Sequence, residues 1–156
     1  MIASISQVPE FAIENQHSFV RGECLDWSDM GGTYVLMGNF AQAHECCMKG
    51  LSLASEIKFE KGRMNAYQYL IMVYLHRNEL ETALKLAKEA DEMDYSLYNL
   101  VIDVLLAIVW FRLEKDSELQ EHLLKSIEAV TRTISLSSEA YRPQFMRAIL
   151  LIINAL

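Results

Sequence analysis

Apolar positions recur along this chain at helical spacing. Val20, Cys24, Trp27, Gly31 and Tyr34 share one helical face. Ala43, Cys47, Gly50, Leu51, Ala54 and Ile57 form a second stripe, and Ala83, Leu84, Ala87, Ala90 and Met93 a third. The pattern predicts helices over residues 23–37, 40–58, 61–77 and 80–94, then 95–113 and 117–134, with a last, mostly apolar helix from 139 to 156. Gly38-Asn39 and the run from His76 to Glu79 supply the breaks, since Gly and Asn tolerate positive φ. Pro9 and Glu10 suit the first turn of an earlier helix that ends near Arg21 or Gly22 or, because the apolar face continues, runs on into residues 23–37. The fold class expected is all-α, with six or seven helices.

The stripes also repeat. Trp27-x2-Met30-Gly31-x2-Tyr34, followed by Ala43, Cys47 and Gly50, is echoed 40 residues later by Tyr67-x2-Leu70-Ile71-x2-Tyr74, followed by Ala83, Ala87 and Ala90. Small residues let helix axes approach within about 8–10 Å, while the aromatic residues fill the gaps beside them. A third unit over 95–134 is less regular: Ala107-x2-Trp110 matches Gly31-x2-Tyr34 at a period of 36, whereas aligning Leu119 with Leu80 gives 39. These spacings resemble the tetratricopeptide repeat. The resemblance implies an α-solenoid of antiparallel hairpins, a right-handed superhelix whose concave face binds another protein or peptide. It divides one domain of 156 residues into an N-terminal helix (1–22), repeats at 23–58, 61–94 and 95–134, and an apolar C-terminal helix (138–156). The extra residues near 51–63 make it similar to the long repeats of bacterial signalling proteins, among them regulatory halves of transcription activators and peptide-pheromone receptors. Eukaryotic spindle-orientation adaptors carry similar long repeats.

Composition narrows the function classes. The net charge of −7 speaks against a general nucleic-acid binder, which needs a basic face. Residues 97–113 carry Asn99, Asp103 and Arg112, so they read as a core helix and not a membrane span. Residues 1–16 lack the basic and apolar regions of a signal peptide, and Cys24, Cys46 and Cys47 read as reduced thiols, which together suggest a cytoplasmic protein.

No cofactor, metal or catalytic set is expected. His17, His44, His76 and His122 show no metal-ligand spacing, Cys47 falls on a core stripe, and Gly31-Gly32 is an isolated pair rather than a phosphate loop. The inner positions implied by the repeat are Ser28, Asp29, Asn65, Gln68, Tyr69 and Met72. They include no Lys, and Asp29 would repel a terminal carboxylate, so the peptide-tail clamp of the chaperone-binding members is not expected. The expected partner-binding groove comprises Asp29, Asn65, Gln68, Tyr69, Met72, His76 and Phe111. The alternative is assembly, with the apolar C-terminal helix docking on a second copy or a further domain.

Overall fold

The computed structural model describes residues 10–93, 96–136 and Ile149. Among these residues the only regular secondary structure is α-helix. The elements are α1 (Glu10–Leu36), α2 (Phe40–Glu56), α3 (Glu60–His76), α4 (Leu80–Asp91), α5 (Ser96–Arg112) and α6 (Asp116–Leu136). Each helix packs on the next, α3 also packs on α1, and α5 also packs on α3.

Of the two expected ends for the first helix, the structure shows the continuous one: residues 10–36 form one helix, with no division at residue 22. Gly22 lies inside this helix without breaking it, and the apolar face from Val20 to Tyr34 continues through it. The second expected helix pair ends earlier than expected, with α4 closing at Asp91 instead of residue 94. The expected C-terminal helix lies outside the described residues except for Ile149, which is helical.

The links between helices share one design. The N–H of Gly38 donates to the Val35 carbonyl, the N–H of Asn39 to that of Tyr34, and the N–H of Ala43 to that of Asn39. The first two bonds close a Schellman turn around a left-handed residue. The third starts the next helix at once. Asn39 reinforces that start by accepting the N–H of Gln42 on its side chain. The same three bonds recur at Lys58, Phe59 and Arg63 between α2 and α3, at Asn78, Glu79 and Ala83, and at Glu114, Lys115 and Leu119. The left-handed residues are Gly38 (φ 75°), Lys58 (φ 53°), Asn78 (φ 60°) and Glu114 (φ 56°).

This recurrence sets the register of the third unit. Tyr34, Tyr74 and Trp110 each offer the carbonyl that closes the turn, so the spacings are 40 and then 36. Ala107 therefore matches Gly31 and Ile71, and Leu119 matches Ala43 and Ala83. The shorter second step follows from α4, which has 12 residues where α2 has 17.

Two clusters make the described core. The larger joins Met64, Tyr67, Ile71 and Leu75 of α3, the Ala83, Ala87 and Ala90 stripe of α4, and Val101, Ile102, Leu105, Leu106 and Val109 of α5. The smaller joins Val104 and Ala107 to Leu119, Leu123 and Val130, with Ile149 packed against it. Between α1 and α2 the approach is closer still. A methyl group on Gly31 would overlap the Cys47 Sγ, and one on Gly50 would lie 2.5 Å from the Ser28 Oγ.

Candidate functional site

The expected groove residues fall largely on the seam between the odd-numbered helices. Asn65 and Gln68 are buried, at 4% and 5% exposure. They form a chain with α1: Gln68 Nε2 donates to Asn65 Oδ1 at 2.7 Å, and Asn65 Nδ2 donates to Asp29 Oδ1 at 2.8 Å. These amides satisfy one another, which is what a buried polar group requires. Their placement as groove walls is corrected accordingly. The cause is how closely α1 and α3 approach, since the Tyr69 ring lies directly over Gly32, where a side chain would collide with it. Gly32 permits the contact, and the contact turns amide positions inward.

The other expected groove residues divide. Met72 packs against the larger core cluster and is half-buried. His76 is exposed, and its ring stacks on Phe40 of α2 at 3.5 Å between centroids. Asp29 is exposed and Tyr69 half-exposed. Phe111 is 43% exposed, but the register places it with Val35 and Leu75, on a different face from Asp29 and Tyr69. Of the expected set, Asp29 and His76 thus remain exposed and Tyr69 partly so, its ring laid over Gly32.

Arg112 stands where His76 stands one unit earlier, and it ties α5 to the end of α3. Its Nη1 donates to the Leu75 carbonyl at 2.5 Å and its Nη2 to Asn78 Oδ1 at 2.7 Å. A cation at a helix C-terminus meets carbonyls that have no partner within the helix.

A second feature was invisible to motif spacing. Asp91, Asp103, His122, Lys125 and Ser126 line a cleft of about 200 Å³ between α4, α5 and α6. His122 Nε2 lies 2.9 Å from the Asp103 carbonyl oxygen, 3.7 Å from its Oδ1 and 3.3 Å from Ser126 Oγ. A carbonyl only accepts, so Nε2 carries a proton. The grouping is therefore unlike a nucleophile triad, in which the two ring nitrogens face different partners. Here one nitrogen faces both. Burial pushes the Asp103 carboxyl above its ordinary range and Asp91 adds to this, while His122 and a hydrogen bond from Ser126 oppose it.

The register explains why Asp103 is there to be noticed. It occupies the place of Trp27 and Tyr67. In each hairpin that place meets one position on the following helix: Lys49 Nζ lies 3.7 Å from the Trp27 ring centroid, Tyr67 donates to Glu89 Oε2 at 3.3 Å, and Asp103 shares its cleft with Lys125. A carboxylate at an aromatic core position was the available signal in the sequence.

The cysteines bear no reactive geometry. Cys24, Cys46 and Cys47 are buried and free. Burial pushes the Cys47 thiol up to about 12, with Cys46 adding to the shift, and burial raises Cys24 and Cys46 as well. Thiolate is the nucleophilic form, so Cys47 is held inert at neutral pH.

No helix among the described residues is long and apolar enough to cross a membrane. Compared with protein-family models, curated proteins and solved structures, the chain matches none.

Proposed function

We propose that this chain is a helical-repeat module of the tetratricopeptide type that binds a segment of another protein. The observation that carries the reading is the turn at Gly38, Asn78 and Glu114, closed each time on the carbonyl of an aromatic residue, Tyr34, Tyr74 or Trp110, whereas the like turn at Lys58 between α2 and α3 closes on Ala54. Hairpins linked in this way and packed odd helix against odd helix build a stack, and in such stacks the functional surface is the exposed row of one helix set. The right-handed superhelical path of the stack is part of the same proposal. The contact row is the set Asp29, Tyr69 and His76, which occupies matching positions on α1 and α3 and is at least partly exposed.

The test is affinity capture with the immobilised chain, comparing wild type with Tyr69→Ala and His76→Ala variants of unchanged melting temperature. A protein retained by wild type and lost on the variants supports the row. Equal retention sinks it. Assembly through the C-terminal apolar segment has less support, because Ile149 packs against this chain's own Val104, Leu119, Leu123 and Val130.

A further inference from the structure

The first odd helix leaves open a face that its two counterparts bury. On α3, Gly62, Ala66, Leu70 and Val73 lie on one face and are all buried. A methyl group on Gly62 would come 2.9 Å from the Ala54 Cβ of α2, so this face meets the preceding hairpin. On α5 the matching residues are Ile102, Leu106 and Val109, each at most 1% exposed and clustered with residues of α3 and α4. On α1 the matching residues are Gly22, Asp26, Met30 and Thr33, and every one is exposed.

The open face carries an apolar line. Phe19, Met30 and Met37 are 73%, 44% and 72% exposed. Met30 lies 11 residues along α1 from Phe19, and Met37, 18 residues on, directly follows α1 with its N–H still bonded to the Thr33 carbonyl; these spacings are close to about three and five whole turns, so the three stand in register on one edge. Methionine adapts its shape to what it meets. The edge is also acidic: Asp26 lies on the face, Glu23 flanks it while accepting from Trp27 Nε1, and residues 22–48 contain no Lys or Arg. The cations that flank this segment are turned elsewhere, Arg21 over the Phe59 ring and Lys49 over the Trp27 ring.

Shape and charge together define the occupant. The face that α3 and α5 use in the same place receives a helix, with a small residue opposite Gly62. We infer that the open face of α1 docks an amphipathic helix of a partner protein. That helix carries an apolar stripe opposite Phe19, Met30 and Met37, a small residue opposite Gly22, and Lys or Arg along the flank that meets Asp26 and Glu23. The inference rests on the equivalence of α1, α3 and α5 and not on the row at Tyr69, so the two surfaces succeed or fail independently.

The experiment is fluorescence anisotropy with the full chain and two designed peptides of about 20 residues, the length of a helix that spans this edge. Both carry a Leu stripe with one Ala; one has Lys along its flank and the other Glu. The Lys peptide is expected to bind at least about tenfold more tightly than the Glu peptide, a difference that shrinks in high salt. Met30→Asp and Met37→Asp are each expected to weaken it by about tenfold or more, while Leu124→Asp, on the exposed side of α6, leaves it within about twofold. Met37→Asp, at a 72% exposed residue, decides the matter should Met30→Asp lower the melting temperature. No binding of the Lys peptide, equal binding of both, or indifference to both aspartates would overturn the proposal. So would concentration-dependent light scattering that Met37→Asp abolishes, since the occupant would then be a second copy of this chain.

Discussion

Gly31 of α1 and Cys47 of α2 touch so closely that no side chain fits on Gly31 while the Cys47 sulfur is present. The Ala43 carbonyl oxygen and the Cys47 amide nitrogen close the same space, 3.1 and 3.3 Å from the place of a Cβ. Gly31→Ala gains about 1 kcal/mol of helix propensity, but the overpacking costs about 1–3 kcal/mol and the helix must shift. The variant is expected to be net destabilised in urea unfolding. Cys47→Ala removes the sulfur, so the double variant should be less destabilised than the sum of the single ones. Additive losses would show that the contact is not the tight point of the first hairpin.

The turn residues give a test of the repeated link. Glu114 holds a left-handed conformation that costs a residue with a Cβ about 1 kcal/mol, whereas Gly38 holds it freely. Glu114→Gly is expected to raise stability by about 0.5–1 kcal/mol after the greater freedom of glycine in the unfolded chain is counted. Gly38→Ala is expected to lower it by about 1 kcal/mol. Thermal melts read both, and a loss on Glu114→Gly would contradict the turn assignment.

Asp103 makes stability depend on pH in a defined direction. Its folded carboxyl titrates above the ordinary range because burial disfavours the anion. The folded state therefore holds this proton more tightly than the unfolded one. Its contribution is fullest below the unfolded value near pH 4 and is lost as pH rises through the raised folded value. Asp103→Asn removes that loss and keeps a polar group beside Ser126. It is expected to raise the melting temperature at pH 7–8 and to do so less, or not at all, near pH 4. A variant equally stabilised at both pH values would mean the carboxylate is not what limits the site.

The buried thiols make a chemical prediction. Native protein at pH 8 should react slowly with iodoacetamide at Cys24, Cys46 and Cys47, and all three should label once urea unfolds the chain. Prompt native labelling of Cys47 would contradict its burial against Gly31.

Much of the fold was legible because its determinants are local. Gly31, Cys47, Gly50, Ala83 and Ala87 announce the close helix contacts by size alone, and Gly38 and Asn78 announce the turns by the conformations they tolerate. Glu114 does not announce its turn, since a glutamate carries no left-handed preference, and so the third register stayed open until the hydrogen bonds fixed it. The expected groove residues were legible as positions on helical faces but not in depth. Whether Asn65 and Gln68 face a partner or one another depends on the distance between α1 and α3, which Gly32 and Tyr69 set across 37 residues of sequence. The Asp103–His122 cleft depends likewise on two helices meeting, and no spacing within either helix reports it.

Site-specific photo-crosslinking in the cells that make this protein tests its central claim most directly. A benzoylphenylalanine in place of Tyr69 lies on the outward row of α3, and one in place of Lys85 lies on an exposed position of α4. On irradiation the first is expected to trap a discrete partner protein and the second to trap none. A trapped partner from position 85 alone, or the same adducts from both positions, would contradict binding through the odd-numbered helices.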